Sequence, residues 1–319
     1  MLFASQNYKN SATVTVLSDF MRNFAAGAPS QAPQPPTMNS DPLYKDLIAQ
    51  PELWKLALLL SPDRLDVALY PPVTREEMIW RSFAFDPAAP DKLRALEDII
   101  YDNPLLLSDF KRVDCIIANA PSIALPPELD EDDATAAYDL AADTSAVEPA
   151  APLELFPTGS SDGAVMAIRQ STAMRSFITR TFYNVRFDCR LAALCRYFTG
   201  RAEAPHTPAL YAIDADSRLT AIALDSDRRL LLANEFAYTK PVDAAYYILA
   251  VMQQLGMPRT DTAVCISTPA TADTPESLRE ILRPHLPQAG ALPFPTLRYR
   301  ASRTTLQAPF SLLIRPICE

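Results

Sequence analysis

Residues 209–236 read ALYAIDADSRLTAIALDSDRRLLLANEF, and the way this stretch folds decides the rest of the chain. Alternating side chains over 209–214 and 218–225 predict two strands joined by an Asp/Ser turn, and a third run at 228–235 follows a second turn. The continuation KPVDAAYYILAVMQQLGMP predicts a helix, with Pro241 in its first turn and Asp243 complementing the dipole. Gly256 and Pro258 end it, and Val242, Ala245, Tyr246, Leu249 and Met252 are expected on its inner face. AVCIS (263–267) then reads as a buried strand.

The same order occurs once before. LWKLALLL, the turn SPDR and LDVALY predict a hairpin, and MIWRSFAF (78–85) a third strand. A helix over 91–103 places Leu93, Leu96 and Ile100 on one face and stops at Asn103-Pro104, and VDCIIAN (113–119) is a buried strand. Segments 53–119 and 209–267 therefore share three meandering strands, a helix and a strand, a repeat of pattern without repeat of sequence. The expected class is α/β: two ββ(β)αβ lobes around a cleft, the duplicated actin-like (ribonuclease H-like) architecture. The expected division is an arm at 1–41, a first lobe at 42–162 and a second at 163–319.

Between the repeats, the acidic PPELDEDDATAAYDL predicts a helix, 141–162 a loop and AVMAIR (164–169) a strand. Two helices follow. The first aligns Met174, Phe177, Ile178 and Phe182; the second aligns Leu191, Leu194, Cys195 and Phe198, with Asp188 as its cap and Gly200 at its end. Near the C-terminus, Thr274 and Pro275 are expected to start a helix with Leu278, Ile281 and Leu282 inward. Strands are expected near 297–300 and 310–315. The arm ends in AGAPSQAPQPPTMNSD, too proline-rich and polar to pack, and is expected to be disordered.

Composition narrows the function classes. A net charge of −9 argues against a general nucleic-acid binder. The 5 cysteines form no CxxC pair, which fits a reducing compartment, and 2 histidines leave little for zinc or His-based catalysis. No apolar run approaches the ~18 residues that span a bilayer, so a cytoplasmic location is expected, without a membrane partner. Glycine is scarce, at 6 in the chain, and proline abundant, at 30.

The stretches KLALLLSPDRLDVALY, LEDIIYDNPLLLSDFKRVDCII, LPPEL and LLLANEFAYTKPVDAAYYILAVMQQLGM resemble a bacterial family, domain of unknown function family 3822, over about 53–315. The resemblance implies an actin-like ATPase fold, the fold of actin, sugar kinases and Hsp70, with the pilus-assembly ATPase PilM as a distant cousin. It implies no established activity.

In active members of that superfamily, each hairpin turn carries an acidic residue beside glycine or another small residue. Main-chain N–H groups then reach the phosphates while carboxylates position Mg²⁺ and water. The matching turns here are LSPDRL (60–65) and DADSRL (214–219), which makes Ser61, Asp63, Asp214, Asp216 and Ser217 the candidate nucleotide-binding residues. Neither turn has glycine, and Pro62 removes a donor. A carboxylate ~4 Å from a phosphate charge costs roughly 4 kcal/mol at an effective dielectric near 20, a repulsion that Arg64 and Arg218 can offset.

Other groups read as structural: Glu128 to Asp133 as a solvated helix start, TGSSDG (158–163) as a turn, Cys195 and Tyr246 as core, and Tyr247 at a cleft or partner surface. The expectation is a non-catalytic or weakly nucleotide-binding scaffold with a protein partner and no obligatory cofactor or metal. The alternatives are a Mg²⁺-dependent ATPase or small-molecule kinase using Asp63 and Asp214, and a PilM-like assembly scaffold.

Overall fold

The computed structural model describes residues 41–72, 76–86, 88–89, 91–142, 151–201, 206–267, 278–292, 299–300, 302 and 305–316. The expectations for residues 1–40, for the Thr274-Pro275 helix start and for a strand at 297–298 lie outside these residues.

Strands β1 (Lys55–Leu60) and β2 (Arg64–Tyr70) form an antiparallel hairpin, and β3 (Ile79–Ala84) pairs along β2. Helix α1 (Lys92–Asp102) starts where Asp91 accepts the Arg94 N–H at 2.7 Å, and it buries Ala95, Leu96 and Ile100. It returns the chain to β4 (Arg112–Ile117), parallel to β1.

Next comes a small three-stranded antiparallel sheet, ordered β5-β7-β6, from β5 (Ser122–Leu125), β6 (Leu153–Pro157) and β7 (Val165–Arg169). Helix α2 (Glu131–Ala141) covers it, and Tyr138 is its core anchor, donating to Pro121 O at 2.9 Å. The acidic run is the solvated helix start expected, with Asp130 accepting the Asp133 N–H at 2.9 Å. The loop expected over 141–162 contains β6, whose side chains are half-buried at most and therefore lack a clear alternation.

Helix α3 (Thr172–Thr181) leads to β8 (Arg186–Cys189) and directly into helix α4 (Arg190–Thr199). Asp188, expected as the helix cap, is instead a buried residue of β8, and Cys189 occupies the cap position. Because β8 pairs parallel to β4, the first sheet runs β3-β2-β1-β4-β8 and takes strands from both sides of position 162.

The second sheet repeats the scheme with β9 (Ala209–Ala215), β10 (Arg218–Leu224), β11 (Leu230–Ala237), helix α5 (Pro241–Gln254), β12 (Ala263–Ser267), helix α6 (Leu278–Leu282) and β13 (Gly290–Ala291). Its order, β11-β10-β9-β12-β13, matches the first sheet strand for strand. On α5 the inner face is Ala244, Ala245, Ile248, Val251 and Met252, while Val242 and Tyr246 are exposed. Tyr247 stacks on Phe236 at 4.9 Å, so the two tyrosines exchange their expected places. A helix with apolar residues on most of its turn gives two nearly equal choices of buried stripe.

Residues 310–314, expected as a strand, form the short helix α7 (Phe310–Ile314). A brief apolar run after Pro309 is compatible with either state, and packing decides it. Helices α4 and α7 lie between the sheets, where Phe198 stacks on Tyr211 of β9 at 4.2 Å and on Phe310 at 6.0 Å. Leu312 and Leu313 pack on the free face of β1, β2 and β4, so the C-terminal segment completes the first lobe's core.

Candidate functional site

The two hairpins present their turns to one another. In the first, Ser61-Pro62-Asp63 link β1 to β2, with the Ser61 N–H donating to Arg64 O at 3.0 Å. In the second, β9 and β10 close at the Ala215–Arg218 pair through only Asp216 and Ser217, with φ of 54° and 56°. Two consecutive left-handed residues define the tight hairpin turn that Asn-Gly ordinarily fills. In both lobes the residue after the third strand caps the turn: Phe85 N–H donates to Asp63 O at 2.8 Å and Tyr238 N–H to Ser217 O at 3.0 Å.

Arg64 joins the turns. Its side chain is 13% exposed and donates through Nε to Asp66 Oδ2 at 3.1 Å, lies 3.7 Å from the Asp63 carboxylate, and donates through Nη2 to Asp216 Oδ2 across the cleft. Burial alone would depress the Arg64 pKa, but the carboxylates of Asp66 and Asp216 outweigh it and the net shift is upward. Asp66 is fully buried, also accepts from Trp80 Nε1 at 3.3 Å, and is lifted above the ordinary carboxylate range by that burial.

Asp63 and Asp216 thus share one guanidinium, and Ser61 is buried beside them. Asp214 stands apart, accepting a hydrogen bond from the Tyr238 hydroxyl. Burial raises the pKa of Asp214, and burial together with that bond raises the pKa of Tyr238.

Next to the turns is a half-open cavity of about 340 Å³, lined by Asn119, Ser122, Arg190, Arg218, Asn234 and Glu235 among others. Arg190 opens α4 and pairs across the cleft with Glu235 of β11. A third crossing comes from TGSSDG. Ser161 Oγ donates to Asp227 O at 2.7 Å, and Ser160 Oγ accepts the Leu230 N–H at 2.8 Å. Gly159 makes this turn fit: at φ 72°, a Cβ there would meet Thr199 Oγ1 at 2.9 Å.

Beneath the cleft, Arg315 donates to Asp114 Oδ1 at 3.0 Å and to Asp188 Oδ2, and Arg196 reaches Asp188 Oδ2 at 2.5 Å. Arg190, Glu235, Tyr238 and Arg315 carry no local sequence signal for these roles, because every partner is distant in the chain or on another element. Cys195 is buried, as expected, and desolvation pushes its thiol up; Cys115 is pushed up to about 12 in the same way. Among the described residues, no group of three or more His, Cys, Asp or Glu has metal-ligand geometry, and no helix is long and apolar enough to cross a membrane.

The family described as Protein of unknown function (DUF3822) matches residues 46–288. Among solved structures, the chain is similar to a Bacteroides thetaiotaomicron protein with an actin-like ATPase fold and unknown function: 18% identity, TM-score 0.62, covering 76% of this chain and 92% of the other. A PilM–PilN type IV pilus biogenesis complex matches at 11% identity and TM-score 0.43, over 81% and 94% of the two chains. The ethanolamine utilization protein EutJ of Carboxydothermus hydrogenoformans matches at 9% and 0.38, over 82% and 89%. No curated protein matches significantly. The first of these structures and the two matching sheets establish the duplicated actin-like fold.

Proposed function

This chain belongs to the family described as Protein of unknown function (DUF3822) and has the actin-like ATPase fold, and on that premise we propose that it is a cytoplasmic, non-catalytic or weakly nucleotide-binding scaffold that acts by binding a protein partner. The observation that carries this reading is the Arg64–Asp216 pair. It occupies the gap between the hairpin turns, where the polyphosphate of a nucleotide would lie in a fold of this kind. A triphosphate would have to break the pair. It would then face Asp63, Asp214 and Asp216 across turns in which Pro62 offers no N–H and no glycine exposes main chain. The crossings by Arg190–Glu235 and by Ser160 and Ser161 hold the lobes together without a ligand, which suits a rigid binding platform.

One observation favours the enzyme alternative, a Mg²⁺-dependent ATPase or kinase: Asp214 is a partly buried carboxylate at the end of β9 with a raised pKa. Calorimetric titration and thermal shift of the full chain with ATP or ADP and Mg²⁺ separate the two. A nucleotide at 100 times its Kd stabilises a fold by about 2.7 kcal/mol. The scaffold reading expects at most a small shift at millimolar nucleotide. A large shift that Asp214→Ala abolishes, together with phosphate release from ATP, would favour the enzyme instead.

A further inference from the structure

The cavity beside the turns is chemically unlike the acidic gap that Arg64 closes. Among the described residues, its charged lining is two arginines and one glutamate, in a chain whose net charge is −9. Glu235 is committed to Arg190, whereas Arg218 has no hydrogen-bond or ion-pair partner among the described residues. Arg218 begins β10 as Arg64 begins β2, so the two arginines are equivalents. The Arg64 side chain is consumed by three carboxylates, whereas the Arg218 side chain meets none among the described residues.

The wall also holds unused polar capacity. Arg190 Nε and Asn119 Oδ1, a donor and an acceptor respectively, are both shielded from solvent and lack hydrogen-bond partners among the described residues. The Asn119 amide nitrogen has only the Met174 sulfur, at 3.4 Å. Buried polar atoms are nearly always satisfied in folded proteins, and two such side chains on one cavity wall call for a common explanation.

We infer that this cavity binds a small organic oxyanion, a carboxylate or phosphate monoester of a few carbons that also bears a hydroxyl or amino group. Arg218 would take the anionic end, with the Arg190 edge as a second donor, and the hydroxyl or amino group would donate to Asn119. The volume admits a molecule of that size, within the range of known ligand pockets. No step of this argument requires the scaffold reading.

The test uses the full chain in thermal shift and calorimetry with five probes: malate, glycerol 3-phosphate, succinate, inorganic phosphate and Mg·ATP. Saturable stabilisation is expected from malate or glycerol 3-phosphate, and whichever binds identifies the carboxylate or phosphate class. The matched anion lacking a donor, succinate or phosphate respectively, should bind more weakly. Arg218→Ala should weaken binding at least about tenfold, as loss of a charge-assisted hydrogen bond does, and Asn119→Ala should erase the preference for the hydroxylated probe. Asp216→Ala, which opens the turn-to-turn pair, should leave binding unchanged. The inference is overturned if none of the four small anions shifts the melting temperature, if sulfate at equal ionic strength acts equally well, or if Arg218→Ala binds as the wild type does. Tight binding of Mg·ATP alone would overturn it together with the scaffold reading, whereas tight binding of Mg·ATP alongside malate would overturn only the latter.

Discussion

Arg64 and Arg218 occupy the same place in two copies of one supersecondary unit, yet they have opposite surroundings. Two residues along each strand, the first lobe has buried Asp66 facing Ser82, and the second has Thr220 facing Glu235. One residue before the turn, the first has Leu60 and the second Asp214. The first lobe therefore carries a carboxylate that draws its arginine inward, and the second lacks one there. The lesson is that duplicated backbone does not imply duplicated chemistry: a single buried aspartate determines whether the arginine locks the cleft or remains available.

The strongest way to break this contrast is Asp66→Ala, which removes the buried carboxylate beside Arg64 and leaves it Asp63 on its own turn and Asp216 across the cleft. Urea denaturation should show a loss of about 3–5 kcal/mol, whereas Thr220→Ala at the equivalent site should lose about 1 kcal/mol, the scale of one hydrogen bond. Equal losses would make the two lobes energetically alike.

A smaller effect is expected at Asp214, where the sign follows from its raised pKa. The folded protein holds the Asp214 proton more tightly than the unfolded chain does. The associated stability is whole below the ordinary aspartate pKa of about 3.9 and is lost as pH rises through the folded value. Asp214→Asn should therefore be more stable than wild type at pH 7, with the gap closing as pH falls toward 4. A constant gap across urea titrations at several pH values would show that the carboxylate's charge is irrelevant.

The turn itself offers a subtler test. Ser217 holds φ at 56° at a cost of roughly 1–2 kcal/mol for a residue with a Cβ, part of which glycine returns through its freer unfolded chain. Ser217→Gly should raise stability by about 0.5 kcal/mol. Asp216→Gly should gain less, because it also removes the pair with Arg64. Arg218→Ala should leave stability within about 0.5 kcal/mol of wild type, as expected of an exposed side chain without partners among the described residues; a larger loss would mean that Arg218 is structurally engaged after all.

Much of this framework was legible in the chain. Strand alternation broken by Ser-Pro-Asp and Asp-Ser marked both hairpins, and the spacing of Leu93, Leu96 and Ile100 with the stop at Asn103-Pro104 marked α1. Short elements escaped. Residues 186–189 run without a linker into the helical spacing of Leu191 and Leu194, so β8 was read as part of the helix approach, and β6 shows no alternation. The candidate site was legible as a set of residue types only. Asp63, Asp216 and Ser217 lie in the facing turns and Asp214 near the end of β9, but the Arg64–Asp216 pair that joins the turns spans 152 positions, and local pattern carries no information about contacts of that separation.

Arg315 leads to a different kind of consequence. It neutralises Asp114 and Asp188, which the ribosome delivers far earlier, and Leu312 and Leu313 seal the same lobe. During translation at about 5–20 residues per second, the amino-terminal half must wait on the order of ten seconds for its own keystone to emerge. Throughout that interval Asp114 and Asp188 have only Arg112 and Arg196 as partners, and the nascent sheet keeps an apolar face uncovered, a natural point of engagement for chaperones.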